Sequence, residues 1–372
     1  PRPRRAAIAF VPAARRRTEP ITVIYDHIRD LPVIIDEIDL DRLDLEVSPQ
    51  FTRVTTLVLL RGGGHEGIGE DVTYEADEVV AFAIAGAPDL RGDWTIHSLS
   101  QALDKVDLFP TPPSWEPSRA YRRWAFESAA LDLALQQAGE PLWRVLGEEC
   151  APVSFVISTG LGDPPDPGIV ERWAEVAPGI AFKLDASPSW TREMAHALGD
   201  AVDVDVIDLK GHYTGTTVGG GADPGLYAMV AEEFPDAWLE DPRVDDRTRI
   251  ALAGAEPRIT WDAPIHSVDD ITAQAIDAQT INIKPSRTGS LERLMAVYDH
   301  ARAEGLGMYG GGQYELGPGR GHIQYLASMF HPEAPNDTSP VEFHGQPRPG
   351  MPTSPIPAMP APTGFRWGPS ST

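Results

Sequence analysis

Five charged side chains stand at the ends of five short apolar runs: Lys183, Asp208, Glu240, Asp262 and Lys284. The runs are Ala181-Phe182-Lys183, Val206-Ile207-Asp208, Ala237-Trp238-Leu239-Glu240, Arg258-Ile259-Thr260-Trp261-Asp262 and Ile281-Asn282-Ile283-Lys284. Successive positions differ by 25, 32, 22 and 22 residues, each about one strand–helix unit. Lysine is scarce: only Lys105, Lys183, Lys210 and Lys284 contribute to the 31 basic residues. Three acids on successive strands suit a hard divalent cation such as Mg²⁺, which takes oxygen ligands. Lysines at buried strand ends beside such a site can serve as bases. Asp262 alone reads equally as a solvated loop charge or helix cap, and the alternative role of each lysine is ion-pair partner to the acids. Their common placement favours one converging site. Lys210 lies two residues after Asp208, a spacing that puts it on the same face of a strand, as a charge neutraliser more than a base. His212 continues that parity as a weaker candidate, and His266 falls in a loop.

The elements that must position them follow from Val153 onward. Strand-like runs (153–157, 180–184, 204–209, 237–239, 259–261, 280–283 and 306–309) alternate with helical stretches (169–177, 190–198, 226–233, 247–253, 268–275 and 291–303). Continuous apolar strands alternating with helices predict parallel strands covered by helices. Seven or eight such units in about 190 residues predict a closed barrel, with its chemistry at the C-terminal strand ends. An open doubly wound sheet is the alternative, but no G-x-G-x-x-G opens a helix after the first strand.

Upstream, residues 33–47, 54–61 and 66–70 read as a three-stranded antiparallel meander, with Gly62-Gly63-Gly64 as the turn between the last two. That turn joins strand to strand, which argues against a phosphate cradle. Helical pattern follows at 77–85, 98–108 and 117–138, with a short turn at 143–146. The expected organisation is a basic flexible arm at 1–20, an α+β capping domain at 21–150, a barrel at 151–340 and a Pro-rich tail at 341–372 returning to the cap.

Composition narrows the function. The chain has 372 residues and a net charge of −24, which argues against binding a nucleic-acid backbone. No apolar run approaches a membrane span. The single Cys150 excludes an internal disulfide framework and fits a reducing cytoplasm.

Ordered pieces of the chain resemble the enolase superfamily, in particular its lysine-based members such as muconate cycloisomerase, o-succinylbenzoate synthase, N-acylamino acid racemase and dipeptide epimerase. Glu66-Gly67-Ile68-Gly69-Glu70 resembles the last cap strand, and Ala125 to Ala134 the long cap helix. Phe182-Lys183-Leu184-Asp185, Leu239-Glu240-Asp241-Pro242 and Ile283-Lys284-Pro285-Ser286-Arg287-Thr288-Gly289 resemble the second, fourth and sixth barrel strand ends. Gly310 to Gly317 resembles the late segment that carries a glutamate, here Glu315.

The resemblance implies a (β/α)7β TIM-like barrel under an N-terminal α+β cap. Mg²⁺ would be held by Asp208, Glu240 and Asp262. Lys284, Lys183, Asp185 and Lys210 would be the catalytic candidates, and Glu315 and Ser158 would touch substrate. The substrate would be a small-molecule carboxylate that loses its α-proton to a base, and a homo-oligomer is expected. Sites of this superfamily pair a Lys or His base with Mg²⁺, an arrangement that comes with the resemblance and not from the spacing. Cap segments near 48–54 and 62–67 would close over the substrate.

Two departures bear on the reaction. Asp185 stands where the family carries its second-strand base, and Lys210 stands where it usually has Asn. The first disfavours racemisation and epimerisation, which use a base on each face, and favours β-elimination or cycloisomerisation. The second could compete with Mg²⁺ at Asp208. The stretch from Asp208 to Glu240 is longer than usual and holds Gly219-Gly220-Gly221, which could form an extra lid. Two rival readings remain: a catalytically impaired barrel that binds a carboxylate without turnover, and a metal-free Schiff-base aldolase using Lys284 or Lys183.

Overall fold

The computed structural model describes residues 23–48, 51–212 and 221–368. The expected arm at 1–20 lies outside them, as does most of the expected glycine lid.

The first half builds a cap. It contains β1 (Pro32–Ile35), β2 (Glu37–Ser48), β3 (Phe51–Gly62), β4 (His65–Asp71), α1 (Ala76–Ala85), β5 (Gly92–Thr95), α2 (Ile96–Leu103), α3 (Ser118–Ala138) and α4 (Leu142–Leu146). Strands β2, β3 and β4 form the antiparallel meander. The single strand expected at 33–47 is instead two: β1 leaves the meander and pairs antiparallel with β5. Helix α2 stops at Leu103, short of the expected 108. Its start is fixed by a capping box between Thr95 and Ser98. The 21-residue α3 is buried along most of its length, because the meander lies directly on it. Glycine at 67 and 69 allows that approach: a Cβ there would come within 2.1 Å of Ala129 O and 1.9 Å of Ala125 O.

The second half alternates strand and helix. Its strands are β6 (Val156–Gly160), β7 (Ala181–Asp185), β8 (Asp203–Asp208), β9 (Trp238–Glu240), β10 (Ile259–Trp261), β11 (Thr280–Ile283) and β12 (Gly307–Gly310). Between and after them run α5 (Gly168–Val176), α6 (Arg192–Ala201), α7 (Pro224–Glu233), α8 (Asp246–Ala251), α9 (Val268–Thr272), α10 (Pro285–Thr288), α11 (Leu291–Glu304) and α12 (Pro318–Phe330). The seven strands pair in parallel in chain order, β6 to β12. Strands β10 and β11 are buried at every position, as parallel strands covered on both faces must be. Val153 belongs to no strand of this sheet; it pairs with Ile356 of the tail, so β6 begins three residues later than expected.

The eighth position of the ring is not a regular strand but a two-residue bridge. Asn336 bridges to Phe155 beside β6, and Asp337 bridges to Gly311 beside β12. Val156 N donates to Asn336 O at 2.9 Å, and Asp337 N donates to Gly310 O at 2.8 Å. The Asn336 side chain completes the seam. Its Oδ1 accepts from Gly310 N at 2.6 Å, and its Nδ2 donates to Ser154 O at 2.9 Å and His331 O at 3.0 Å. The result is a TIM-like barrel under an N-terminal cap.

The cap is held against one mouth of the barrel by polar contacts as well as by the core. The Glu70 carboxylate accepts from Leu316 N, Gly317 N and Gly319 N at 2.6, 3.0 and 2.9 Å. The buried Arg53 guanidinium donates to Val72 O, Thr73 O, Gln313 O and Tyr314 O. From the tail, Phe365 is buried and its N donates to Asp132 of α3, while Arg366 pairs with the same carboxylate at 2.9 Å. No helix among the described residues is long and apolar enough to cross a membrane.

Candidate active site

Strands β7 to β11 each deliver charged groups to the cap-facing end of the barrel, β7 two of them, Lys183 and Asp185. Register pairs Asp185 with Asp208 and Asp208 with Glu240, so these carboxylates stand side by side across three strands. Asp262 and Lys284 immediately follow β10 and β11. Lys183, Asp208, Glu240, Asp262 and Lys284 are all buried. The five residues proposed from spacing alone are therefore brought together.

The contacts alternate in sign along the row. Lys210 Nζ lies 3.1 Å from Asp185 Oδ1 and 2.6 Å from Asp208 Oδ2. Lys183 Nζ lies 2.5 Å from Glu240 Oε1, 3.4 Å from Asp337 Oδ2 and 3.7 Å from Asp208 Oδ2. Lys284 Nζ lies 2.9 Å from Asp262 Oδ2, and Arg287 Nη1 lies 2.5 Å from Asp262 Oδ1. Tyr309, on β12, donates to Glu240 Oε2 at 2.7 Å and shares a 2.9 Å hydrogen bond with Thr260. Glu240 is thus clamped between an ammonium and a phenol.

These contacts set the protonation states. Burial alone would depress Lys183, yet Glu240, Asp337, Asp208 and Asp262 together hold it well above the ordinary lysine range. Burial likewise opposes charge on Lys210, and Asp208 and Asp185 overcome it. Burial would raise Asp262, but Arg287, Lys284 and Lys183 hold it well below the ordinary carboxylate range. Asp208 is lowered in the same way, by Lys210 and Lys183 against its burial. Asp241 is pushed up to about 7 by burial and by the neighbouring Asp262 and Asp208.

A group of hard oxygen donors fit for a divalent cation is present, with a different third member from the one expected. Glu240, Asp241 and Asp262 each place a carboxylate oxygen within 4.8 Å of the others, all three buried. Asp241 has a left-handed backbone, φ 52°, and its carboxylate accepts from Asp262 N at 2.7 Å and Ala263 N at 2.8 Å. Asp208 lies next along the row. Both its oxygens face Lys210, with Oδ1 accepting from Lys210 N at 2.9 Å.

The remaining candidates are placed as follows. Strand β8 ends at Asp208, so pleat parity does not position Lys210; its left-handed backbone, φ 51°, turns the side chain back toward Asp208. Ser158 pairs in register with Lys183 and faces the same side of the sheet. Glu315 is buried and folded back: its Oε1 accepts from Gln313 N at 2.7 Å, and Arg320 stands 3.9 Å from Oε2. His212 packs edge-on against Trp261, and His266 is in the loop before α9. Sequence reasoning missed Asp337 and Tyr309 and gave no role to Asp241 or Arg287. Of these, only Asp241 and Arg287 stood in a motif beside a strand end.

The chain matches two family models, described as the C-terminal domain of a domain of unknown function, DUF8230, over residues 149–345, and its N-terminal domain over residues 26–145. It is 26% identical over 316 residues to an N-succinylamino acid racemase of Thermus thermophilus, covering 80% of this chain and 81% of that one. It is 27% identical over 292 residues to an o-succinylbenzoate synthase of Geobacillus kaustophilus, covering 70% and 72%. Among solved structures, a dipeptide epimerase from Methylococcus capsulatus complexed with Mg ion superposes with a TM-score of 0.58 at 18% identity, covering 79% of this chain and 85% of that one.

Proposed function

The chain belongs to the DUF8230 family and is a member of the enolase superfamily, and on that footing we propose that it is an Mg²⁺-dependent lyase or isomerase. It would abstract the proton α to the carboxylate of a small substrate, with Lys284 as the base, and proceed by β-elimination or cycloisomerisation. The observation that carries this reading is the buried run Glu240, Asp262, Lys284 at three adjacent strand ends, with Lys284 Nζ 2.9 Å from Asp262. The relatives named as a racemase and a synthase of succinylated compounds point the substrate search to succinylated carboxylates.

Glu240 and Asp262 would hold Mg²⁺, with Asp241 inside the same oxygen group and Asp208 next to it. The cation, when bound, would lower the energy of negative charge developing on the substrate carboxylate. Arg287 fixes Asp262 through its side chain and its backbone carbonyl. Tyr309 and Lys183 fix the two oxygens of Glu240. In an elimination, the α-proton passes to Lys284 Nζ and the C–H pair becomes the new double bond. The β-substituent leaves with its own electron pair and takes the proton back from the same ammonium. Only one face of the substrate needs a base. That requirement matches a chain whose second-strand base position is Asp185, itself paired to Lys210. The cap, held by Arg53 and Glu70 to the loop at 313–319, would shut out water.

A second reading, carboxylate binding without turnover, is favoured by one contact: Lys210 Nζ at 2.6 Å from Asp208. The aldolase reading through Lys183 is weakened by the acids that keep that amine charged, and through Lys284 by the neighbouring acids, for which a metal-free Schiff-base reaction has no use.

The test is α-proton exchange in D₂O, followed by proton NMR, with Mg²⁺ and a panel of N-succinyl amino acids and hydroxy acids. The wild-type chain should exchange or eliminate at least one of them, with alkenic protons marking elimination. Full exchange retained in Lys284→Ala would overturn the assignment.

A further inference from the structure

Lys210 sits astride two carboxylates. Its Nζ lies 2.6 Å from Asp208 Oδ2 and 3.1 Å from Asp185 Oδ1. The two acids are register partners at the ends of β7 and β8, so they stand one strand spacing apart. They differ in exposure: the Asp208 side chain is 1% exposed and that of Asp185 38%. The two oxygens of Asp208 are also held differently. Oδ1 accepts from Lys210 N at 2.9 Å, a backbone contact set by the left-handed turn at Lys210. Oδ2 faces two ammoniums, Lys210 at 2.6 Å and Lys183 at 3.7 Å, and Lys183 is engaged more closely by Glu240 at 2.5 Å.

This arrangement makes it easy to take Lys210 Nζ off Asp208. An ammonium pulled from a buried carboxylate and left unpaired is strongly disfavoured. Here Asp185 is already in contact, so a small rotation of the flexible lysine stem trades one carboxylate for the other. The ammonium keeps an ionic partner throughout. The backbone bond to Oδ1 does not depend on where Nζ goes, so Asp208 stays oriented while Oδ2 is released.

We propose that Asp185 is the alternate seat of Lys210: when Mg²⁺ is held at the barrel mouth, Nζ gives up Asp208 Oδ2 and stays on Asp185, which makes that oxygen available to the cation. The proposal rests on the Mg²⁺ reading given above. It makes Asp185 a positioning residue that acts through Lys210 and not a base.

The test is a double-mutant cycle on Mg²⁺ affinity, measured by calorimetry without substrate on wild type, Asp185→Asn, Lys210→Asn and the double variant. Asp185→Asn takes away the second carboxylate, so Lys210 stays on Asp208. Mg²⁺ binding should weaken by about tenfold or more, the worth of one charge-assisted contact. In the Lys210→Asn background the same substitution should change affinity by less than about threefold, because no ammonium needs the seat. Asp185→Glu keeps a carboxylate there and should hold affinity within about threefold of wild type. Equal weakening in both backgrounds would mean that Asp185 acts through its own charge on the cation, and it overturns the proposal. Unchanged affinity in Asp185→Asn overturns it too, as does Asp185→Glu as weak as Asp185→Asn. All three leave the functional reading standing. A wild-type chain that binds no Mg²⁺ overturns that reading and the proposal with it.

Discussion

Lys210 engages both oxygens of Asp208 at once, its backbone N at 2.9 Å from Oδ1 and its Nζ at 2.6 Å from Oδ2. A carboxylate so occupied is a poor cation ligand until the ammonium moves. Lys210→Asn removes the competing charge and keeps a polar side chain. It should tighten Mg²⁺ binding, measured by calorimetry, by about tenfold or more, since a charge-assisted contact of about 1.5–3 kcal/mol no longer opposes it. Unchanged affinity would show that Asp208 takes no part in holding the cation.

Lys284→Ala removes the proposed base and leaves Asp262 paired with Arg287. Exchange of the substrate α-proton should fall by about 10²–10⁴-fold, the usual contribution of a positioned base. Mg²⁺ affinity should stay the same or rise, because one cation has left the site.

Tyr309→Phe deletes the 2.7 Å hydrogen bond to Glu240 while keeping the ring. The freed oxygen loses orientation, and the Kd for Mg²⁺ should rise about 10-fold, within the range for lost outer contacts of a metal ligand. The unfolding midpoint should move little, which separates a positioning role from a packing one.

Arg53→Met withdraws donors from four backbone carbonyls, two on the cap and two on the barrel loop. With about 1–3 kcal/mol for each buried group left unpaired, stability in urea should drop by several kcal/mol. Limited proteolysis should then open the chain first near 313–319, where the cap has lost its hold.

Acid should destabilise the chain through His331. Burial depresses it to about 4, and its Nδ1 lies 2.7 Å from Asn336 Oδ1. Unfolded, it titrates near 6.5. The unfolded chain therefore takes the proton first, and stability present above pH 6.5 is lost as pH falls toward 4. The loss is at most about 3 kcal/mol. Urea unfolding at pH 7 and pH 5 should show it, and His331→Gln should reduce the difference by the share His331 carries, leaving those of the likewise depressed His322 and His344.

Much of this site is legible in the sequence because the chain ends one apolar run per strand in a single charged residue. That rhythm aligns Glu240, Asp262 and Lys284, and the structure brings them together. Pleat parity sets Lys210 on a strand face, whereas the strand has already ended and a left-handed turn brings its side chain back. Asp337 reaches Lys183 from a Pro-rich segment with no strand pattern, so no periodicity could reveal it. Tyr309 looks like a core aromatic in sequence; only its hydroxyl at 2.7 Å from Glu240 tells otherwise. Arg53 sits in an apolar strand where a surface charge would be assumed, and its four carbonyl partners come from segments far along the chain.

The seam at Asn336 and Asp337 also orders events during synthesis. Those residues follow all seven parallel strands along the chain. A ribosome releasing the polypeptide from its N-terminus delivers all seven parallel strands before the piece that joins the first to the last. Until then β6 and β12 are two unpaired borders with open backbone hydrogen bonds, the condition under which sheets recruit neighbours. Nascent chains stalled short of Asn336 should therefore be the ones that aggregate.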